Sequence, residues 1–499
     1  MNSSQLIAFS PIICIAAAAV AVMLTIAVKR HFALACLAAS LGILVSLLAL
    51  LAAGRQGDVQ VTPLARIDSY GLLAMALLLL AGLAVIAFCY DYFKNREGEN
   101  EELLFLILTA LLGGAVLVTA DHFATFFIGL ETLSVSLFVL VGYALGQSRS
   151  LEAASKYLVL SGVSSALLLM GMALIYSESG QLNFRGIEEY LARQEIFNAM
   201  VLTGAVFIVA GVGFKLSLAP FHLWTPDVYE GAPAPVTAFI ATVSKGAVFL
   251  LLLRYFLGSG SFSYASVLIV FSVMAVLSIL FGNVLALLQN NIKRMLAYSS
   301  IAHMGYLLIA FIAGGSIAPN LVVESVAFYL AAYFMTTLGA FGVVSILSAP
   351  QAEAADLSCY RGLFWRRPGL ASVFTLMLLS LAGIPLTAGF IGKFYIFAAG
   401  ADGQLWGLLM MLIIGSGLGL YYYLRVIVVM SMSQKADSDA GRETALGRAS
   451  SATLILLALL LVWLGVDPIH LISLIQGGLT DVVKLDSIVW SSGRSFLLF

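Results

Sequence analysis

The sequence predicts an all-α polytopic membrane protein with about fourteen transmembrane helices. Composition is the first observation: of 499 residues, 61% are hydrophobic and only 10% are charged, and the mean hydropathy is +1.04. A soluble chain of this length would have about a quarter of its residues charged. The second observation is that apolar runs of roughly 20 residues, enough to cross a bilayer as a helix, recur along the whole chain.

The predicted spans follow one another with short polar connections. They lie near residues 6–28, 32–53, 70–90, 102–119, 123–145, 156–177, 201–222, 233–257, 264–288, 295–313, 321–347, 370–399, 404–431 and 451–476. The longest connections cover residues 54–69, 91–102, 178–200, 348–369 and 432–450. None is long enough to form a soluble domain.

The basic residues predict the orientation. Connections after odd-numbered spans contain thirteen Lys and Arg residues, whereas connections after even-numbered spans, with the C-terminal tail, contain six. Because basic residues concentrate on the cytoplasmic side, the odd-numbered connections are expected in the cytoplasm. Both termini are then expected on the outer side of the membrane. The first apolar run lacks a preceding basic leader, which predicts a retained span rather than a signal peptide.

The sequence gives no indication of a cofactor or nucleic-acid site. The four cysteines are scattered, without the close spacing that zinc or iron–sulfur sites need. There is no dinucleotide fingerprint or phosphate-binding loop. Net charge is −1 and basic residues form no stripe, so no nucleic-acid partner is expected. The chain is predicted to act without a cofactor or metal of its own.

The stretch Gly211–Gly246 contains the most unusual pattern in the chain. Lys215 and Lys245 lie in otherwise apolar helical runs, and four prolines lie between them. Proline inside a membrane helix removes a backbone donor and frees a carbonyl, which is tolerated only where protein or water satisfies the backbone. A lysine beside a broken helix is typical of an ion-handling site near the bilayer midplane.

A second interruption is predicted in the twelfth span, at Leu379–Ala399, where glycines and Pro385 precede Lys393. The seventh and twelfth spans are five crossings apart and therefore run in opposite directions, as in an inverted repeat. The letters Leu-Ser-Leu-Ala recur at 216–219 and 379–382. Because these residues are common in any membrane helix, the residues alone leave the repeat open.

Glu131 and three lysines are predicted inside the membrane, where each charge costs roughly 2.5–3.5 kcal/mol on insertion scales. For Glu131, the structural alternative is a protonated side chain making one hydrogen bond between helices. For Lys215, Lys245 and Lys393, the alternative is a fixed acidic partner. The functional interpretation is a switchable Glu–Lys pair followed by lysines that release and regain protons.

Three further residues are candidates for a proton relay. His303 lies near the middle of its span and His222 lies at the first break; for each, a hydrogen-bonded packing role is equally open. Lys156 begins the sixth span, where its amine can reach the interface, although it could join the relay. Protons are the favoured cargo, because sodium prefers a cluster of carboxylates and carbonyls and only one carboxylate is clearly in the membrane.

Three motifs resemble the antiporter-like membrane subunits of respiratory complex I, the proton-pumping NADH:quinone oxidoreductase. They read FKLSLAPFHLWTPDVYEGAPAPVTAFIATVSKG, NIKRMLAYSSIAHMGYLL and LAGIPLTAGFIGKFYIF, within a resemblance from about residue 100 to 430. The resemblance implies two inverted five-helix repeats, spans 4–8 and 9–13, with broken helices 7 and 12. The implied segments are 1–100, 101–258, 259–432 and 433–499.

The same resemblance implies roles and partners. Glu131 and Lys215 would form the switching pair, Lys245 the central relay, and Lys393 the outlet-side lysine, with His303 between the last two. Redox chemistry in other subunits, which hold flavin and iron–sulfur clusters, would drive the movement of protons. The expected partners are other membrane subunits, including further antiporter-like ones, membrane lipid, and quinone through the complex. Within this family, lysine at 393 and a short tail after the last span favour one subunit type over the two others. Of those two, one has glutamate in the twelfth span and the other adds a long lateral helix.

Two alternatives stay open at this point. A subunit of a multi-subunit sodium/proton antiporter or of a membrane-bound hydrogenase would share the fold. A membrane scaffold that conducts nothing would be of another class, but a scaffold has no need for five titratable groups with their insertion cost.

Overall fold

The computed structural model describes residues 2–94, 96, 98–144, 147–193, 198–259, 262, 265–317, 319–349, 353–433 and 447–477. Within these residues the chain forms nineteen α-helices and one β-hairpin. In chain order the helices are α1 (Ser3–Val28), α2 (Phe32–Gly54), α3 (Ser69–Phe93), α4 (Glu102–Val118), α5 (Phe123–Val141), α6 (Ser148–Ser179), α7 (Phe184–Leu191), α8 (Ala199–Lys215), α9 (Trp224–Gly231), α10 (Ala234–Phe239), α11 (Lys245–Gly258), α12 (Ala265–Leu287), α13 (Ile292–Ala313), α14 (Pro319–Leu347), α15 (Leu363–Arg366), α16 (Pro368–Ala382), α17 (Ala388–Asp402), α18 (Trp406–Ser431) and α19 (Arg448–Val466).

The hairpin departs from the predicted all-α class. Strands β1 (Val59–Thr62) and β2 (Ala65–Ile67) pair antiparallel in the connection predicted as a loop. Alternating residues of the two strands are buried, and Pro63 falls in the turn between them. This short period-2 pattern is easily overlooked beside long apolar helices. The hairpin packs against the connection between α4 and α5, where the Arg66 N–H donates to the Thr119 carbonyl at 3.1 Å.

The helical membrane class is confirmed. Eleven helices of the described chain are long and apolar enough to cross a membrane, with α10, a π-helical turn and α11 counted as one helix, Ala234–Gly258. Three further apolar helices are shorter: α4, α8 and α16. Two of these three, α8 and α16, end where the sequence predicts a break, which explains their length.

The interior of the bundle is formed by three elements. The most apolar stretches of Ala234–Gly258 and of α13 are completely buried inside the protein, and that of α14 is 83% buried. By contrast, only a third of the corresponding stretches of α1 and α2 is buried. A helix that is apolar on every side and surrounded by other helices belongs to the interior of a large bundle. The lysine and histidine candidates in these central helices are therefore shielded from lipid.

The two breaks share one backbone geometry. After α8, Ser217 adopts a left-handed conformation (φ 61°) and the Leu218 N–H donates to the Gly213 carbonyl at 2.8 Å. After α16, Gly383 adopts the same region (φ 86°) and the Ile384 N–H donates to the Leu379 carbonyl at 3.0 Å. Both are Schellman-type ends, which satisfy carbonyls that the interrupted helix leaves free. The helices are interrupted at both predicted places.

The letter repeat noted in the sequence is not in register with this geometry. Aligning the two left-handed residues, Ser217 and Gly383, places Leu216 opposite Ala382. The segments 216–219 and 379–382 are therefore three residues out of step relative to their breaks. The recurrence of Leu-Ser-Leu-Ala gives no support to a repeat, because equivalent positions carry different letters.

A third interruption, which the sequence analysis does not predict, precedes Lys245. Residues Ile240–Ser244 form a π-helical turn between α10 and α11. Such turns are rare and occur frequently at functional sites. The turn places Lys245 at the start of α11, in the centre of the bundle.

Candidate functional site

Glu131 and Lys215 lie in one polar group formed by α5, α6 and the end of α8. The Glu131 carboxylate accepts a hydrogen bond from the Ser165 hydroxyl at 2.5 Å. The Lys215 amine donates to the hydroxyls of Ser134 at 2.8 Å and Ser161 at 2.6 Å. Ser134 lies one turn from Glu131 on α5, and Ser161 lies one turn from Ser165 on α6. Serines therefore stand between the two charges on both helices.

The predicted Glu131–Lys215 pair is thus a linked pair rather than a direct ion pair. Within the described residues, no ion pair of 4.0 Å or less joins the two side chains, although their charges still interact. A serine hydroxyl both donates and accepts, so it stabilises either protonation state of its neighbour. Small displacements of α5, α6 or α8 would change the separation of the charges without breaking a direct contact.

The backbone at the first break is satisfied by neighbouring side chains. The Trp224 indole N–H donates to the Phe214 carbonyl at 3.0 Å, and the Ala219 N–H donates to the Ser278 hydroxyl at 2.9 Å. These contacts meet the condition under which non-helical backbone is tolerated at membrane depth. Lys215, only 5% exposed, is therefore held at the end of a stable half-helix.

Lys245 is the most deeply buried of the candidate lysines, with 1% of its surface exposed. Its amine donates to the Ser300 hydroxyl at 2.7 Å and lies 5.2 Å from the centre of the Tyr229 ring. Ser300 in turn shares a hydrogen bond of 2.7 Å with the Tyr333 hydroxyl. None of the ion pairs among the described residues involves Lys245. A fixed acidic partner, the structural alternative, is therefore not what holds this lysine in the structure.

His303 lies between tyrosines from two other helices. Its Nδ1 is 2.6 Å from the Tyr329 hydroxyl and its Nε2 is 3.3 Å from the Tyr423 hydroxyl. The Tyr423 hydroxyl also shares a hydrogen bond with Ser299. The ring of Tyr333, which reaches the Lys245 group, is centred 5.5 Å from the His303 ring. The histidine is therefore adjacent to the partners of Lys245.

Lys393 lies on the other side of His303. Its amine donates to the Ala382 carbonyl at 2.8 Å, at the end of α16, and lies 5.3 Å from the centre of the Tyr306 ring. The Tyr306 and His303 rings are centred 5.5 Å apart. Lys245, His303 and Lys393 consequently lie along one path lined by tyrosine rings and hydroxyls.

These hydroxyl residues are the part of the site that sequence reasoning missed. They are Ser134, Ser161, Ser165, Tyr229, Ser299, Ser300, Tyr306, Tyr329, Tyr333 and Tyr423. A signal was available, because Ser299, Ser300, His303 and Tyr306 recur at helical spacing within the apolar α13. Tyr329 and Tyr333, four residues apart on α14, show the same spacing. These side chains carry no charge, so the insertion cost that distinguishes Glu131 and the lysines does not distinguish them.

The path is not continuous between Lys215 and Lys245. No hydrogen bond between described side chains links the Lys215 group to the Lys245 group. Trp224, at the first break, stacks against Phe214, the residue before Lys215, with ring centres 5.3 Å apart, and against Tyr157 at 4.8 Å. Aromatic side chains therefore pack around the end of α8.

The structure places His222 and Lys156 outside both groups. His222 stacks on Phe281 with ring centres 6.0 Å apart, and its Nδ1 has no hydrogen-bond partner within the described residues. Lys156 forms ion pairs with Glu152 at 2.7 Å and Asp227 at 2.8 Å, and 43% of its side chain is exposed. Neither contacts Lys215 by a hydrogen bond.

The partner of Lys156 belongs to an ion-pair cluster at one end of the bundle. Arg294 donates to Asp227 at 2.7 Å and to Glu230 at 2.9 Å, and Asn291 donates to Glu230 at 3.1 Å. Burial alone would raise the pKa of Asp227, which lies outside the membrane-spanning segments, but hydrogen bonds from Lys156 and Arg294 bring that pKa below its ordinary value. The carboxylate is ionised at neutral pH and joins α6, α9 and α13.

A fully buried lysine beside this cluster was not singled out from sequence. Lys293 donates to the Ala232 carbonyl at 2.6 Å and to Glu353 at 3.1 Å. Glu353 also lies 3.9 Å from Arg96 and accepts a hydrogen bond from Tyr92. From the sequence, Lys293 is a basic residue of a predicted cytoplasmic connection, whereas its side chain has 0% exposure in the structure.

The fold and the site together define a class: a helical membrane protein with two broken helices and lysines in its interior, of the kind that handles ions. The family model described as NADH:quinone oxidoreductase/Mrp antiporter, TM, matches residues 120–419. The chain belongs to this family. The prediction made from the three motifs is confirmed.

One relative and one solved structure from this family are similar to the chain over most of its length. The NADH-quinone oxidoreductase subunit N of Methylococcus capsulatus is 51% identical over 418 residues, which cover 84% of this chain and 85% of that protein. A chain of respiratory complex I from Thermus thermophilus with bound aureothin is 30% identical, with a TM-score of 0.78 over 93% of this chain and 98% of that one.

A more distant structure shows the fold alone. A chain of the Mrp complex from Dietzia is 18% identical, with a TM-score of 0.84 over 98% of this chain and 99% of that one. Within the described residues, no group of three or more His, Cys, Asp or Glu side chains could hold a metal ion.

Proposed function

We propose that the chain moves protons across the bacterial inner membrane as the N-type antiporter-like subunit of an NADH:quinone oxidoreductase. The observation that carries this proposal is the placement of Lys245. A buried amine held by hydroxyls and a ring, without a counter-ion, can change protonation state at low reorganisation cost, whereas a lysine locked to a carboxylate cannot. The relative from Methylococcus capsulatus, with its printed name, supports the choice of complex.

The proposed membrane topology has fourteen crossings. Eleven long helices and three shorter apolar ones support this number. The proposal includes inverted repeats over crossings 4–8 and 9–13, supported by the shared geometry of the two breaks. The segment boundaries at 100, 258 and 432, and both termini on the periplasmic side, complete this topology.

The first proposed step is electrostatic and occurs at the Glu131–Lys215 pair. Redox chemistry in partner subunits, which would hold the flavin and iron–sulfur clusters, changes the separation of these charges. In a protein interior the interaction of two charges varies steeply with distance. When Glu131 moves away, Lys215 loses the interaction that favours its charged form and passes its proton inward.

The second proposed step carries the proton across the interval to Lys245. Because no hydrogen bond between described side chains spans this interval, the transfer needs water to enter between the two groups. From Lys245, hydrogen bonds run through Ser300 to Tyr333. The rings of Tyr333 and Tyr306 contact His303, and the Lys393 amine lies over the Tyr306 ring, so water would carry the proton across these two intervals. Release against the membrane potential costs roughly 2.3 kcal/mol per 100 mV. A shift of two pKa units, about 2.7 kcal/mol, is of the required size.

The proposed roles of His222 and Lys156 are secondary. The Nδ1 of His222, which has no hydrogen-bond partner within the described residues, would accept a proton near the first break without lying on the main path. Lys156 would take part only after its ion pairs with Glu152 and Asp227 open, because a lysine paired with a carboxylate holds its proton. The other proposed partners are further antiporter-like membrane subunits, membrane lipid, and quinone reached through the complex.

The alternative function is that of a subunit in a multi-subunit sodium/proton antiporter. The fold that this chain shares with the Dietzia chain is compatible with the antiporter function. Purification of the tagged chain in mild detergent separates the two. Co-purifying flavin and iron–sulfur subunits, with NADH-driven proton uptake into inverted vesicles, are expected. Sodium-dependent proton exchange without NADH oxidation would establish the alternative instead.

Replacement of Gly383 by alanine is expected to lower proton translocation several-fold. A Cβ at this left-handed position would lie 2.8 Å from Lys393 Cδ, so both the turn and the amine must shift. The measurement is the ratio of protons moved to electrons transferred in inverted vesicles. Gly417→Ala is the matched control, because a Cβ there meets no atom within 4 Å. An unchanged ratio in the Gly383 variant would contradict the proposed role of the Lys393 position.

A further inference from the structure

A buried asparagine of α12 holds a tyrosine that contacts both His303 and Lys393. Asn283 has only 1% of its surface exposed. Its Nδ2 donates to the Tyr306 hydroxyl of α13 at 2.9 Å, and its Oδ1 accepts from the Tyr422 hydroxyl of α18 at 3.2 Å. A buried amide whose hydrogen bonds reach two other helices fixes their side chains relative to its own helix.

The direction of these hydrogen bonds is set by the backbone of α12. Asn283 Nδ2 also donates to the Ile279 carbonyl, one turn earlier, at 2.8 Å. A carbonyl can only accept, so the amide nitrogen rather than the amide oxygen must face it. The other N–H of this nitrogen points to the Tyr306 oxygen, and the hydroxyl proton of Tyr306 is then left for Ser416 of α18, a further hydrogen-bond partner.

Helix α18 leaves room for this group through two glycines one turn apart. A Cβ on Gly415 would lie 2.6 Å from the Tyr306 hydroxyl and 3.0 Å from Asn283 Nδ2. A Cβ on Gly419 would lie 3.5 Å from Asn283 Oδ1 and 3.6 Å from the Tyr422 hydroxyl. Small residues allow membrane helices to approach closely. The close approach of α18 therefore encloses the amide and restricts the Tyr306 hydroxyl.

The held hydroxyl determines where the Tyr306 ring lies. This ring packs edge to face against the His303 ring, with centres 5.5 Å apart, and the Lys393 amine lies 5.3 Å from its centre. A charged amine is attracted to the face of a tyrosine ring. Movement of the ring would change its contacts with both residues at once.

We propose that Asn283 is a positioning residue for proton transfer between His303 and Lys393. Its amide holds the Tyr306 ring against both residues and so fixes the interval that water must bridge. An amide is not a titratable group, so Asn283 carries no proton itself. This inference rests on the proposed proton path, and it adds a residue of α12, a helix that supplies no member of that path.

A double-mutant cycle tests whether Asn283 acts through Tyr306. Asn283→Leu removes the amide at similar volume, and Tyr306→Phe removes the hydroxyl but keeps the ring. Each variant is expected to lower the rate of NADH-driven proton uptake into inverted vesicles about fivefold, the effect of one lost hydrogen bond. The double variant should lose no more than either single variant, whereas independent effects would multiply to about 25-fold. A multiplied loss, or an unchanged rate in Asn283→Leu, would overturn the proposal.

A second measurement separates positioning from a folding defect. Rates are expressed per assembled complex, counted by subunit content. Tyr298→Phe is the control on α13, because the Tyr298 hydroxyl has no hydrogen-bond partner among the described residues, and it should pump as the parent does. The solvent isotope effect on uptake should be larger in Asn283→Leu than in the parent, since a slowed proton transfer then limits the rate. A lowered rate with the parental isotope effect would show a merely structural role.

Helix α18 offers a variant that leaves every hydrogen-bonding side chain of the group in place. Gly415→Ala should displace the Tyr306 hydroxyl and lower the uptake rate several-fold. Gly417→Ala, where a Cβ meets no atom within 4 Å, should not. An unchanged rate in the Gly415 variant would show that the position of Tyr306 does not limit the transfer, which contradicts the proposal.

Lys245→Met in the same assay tests the proposed path independently. If it blocks uptake while Asn283→Leu pumps as the parent does, the positioning role fails and the path stands. If uptake is normal in Lys245→Met, the proposed path itself fails, and the positioning role fails with it.

Discussion

Methionine in place of Lys245 is expected to lower NADH-driven proton translocation about tenfold or more. The reason is that proton transfer through residue 245 is then blocked rather than slowed. Methionine keeps the length of the side chain and fits an apolar site, but it cannot carry a proton. Lys245 donates to Ser300, and Ser300 shares a hydrogen bond with Tyr333, one of the tyrosines near His303. The measurement is proton uptake per electron in inverted vesicles, with NADH oxidation recorded separately.

Two controls make this result specific. Lys29→Met removes an exposed lysine and should leave the ratio unchanged. Lys245→Arg keeps a positive charge that cannot be released in a protein, so it should fail like methionine if the lysine carries protons. Normal pumping by the arginine variant would show that only a fixed charge is needed. Assembly of the complex, checked by subunit content, excludes a folding defect as the cause.

The second large effect is expected from Glu353→Gln, and it concerns stability rather than transport. This change leaves Lys293 and Arg96 without the carboxylate that lies between them. Removing one partner of a buried ion pair costs about 3–5 kcal/mol, because the remaining charge is buried without compensation. The expected result is loss of the subunit from the membrane, measured as its amount relative to other subunits and its thermal unfolding.

A rescue experiment identifies the cause. In K293M/E353Q the buried charge at Lys293 is removed together with its partner, so much of the lost stability should return. Glu99→Gln, at a surface pair with Arg30, is the control and should change stability by about 0–1 kcal/mol. If the double variant is no more stable than E353Q, uncompensated charge is not the reason for the loss.

The membrane class, the broken helices and the charged members of the site follow from patterns within single segments. An apolar run of sufficient length must be a helix in a bilayer, because only a helix satisfies its own backbone there. Prolines and glycines inside such runs predicted the interruptions after Lys215 and before Lys393. The cost of burying charge made Glu131 and the three lysines conspicuous.

Other features depend on contacts between distant segments and gave weak local signals. Lys293 looked like a loop residue, but Glu353 and the Ala232 carbonyl hold its side chain in the interior. Serine and tyrosine are ordinary membrane-helix residues until the structure places them against Lys215 or His303. The Leu-Ser-Leu-Ala recurrence was a local signal of a repeat. In the structure the two segments lie at different positions relative to their helix breaks.

The sequence by itself determined that this chain is a helical membrane protein of the NADH:quinone oxidoreductase/Mrp antiporter family with titratable groups beside broken helices. The length of an apolar run and the cost of a charge inside it are properties of one segment, so both can be recognised from the amino-acid sequence. Only the tertiary structure decided that serines separate Glu131 from Lys215, and that tyrosine rings and hydroxyls line the interval from Lys245 to Lys393. Hydrogen bonds between side chains tens or hundreds of residues apart depend on how the helices pack, which no single segment specifies.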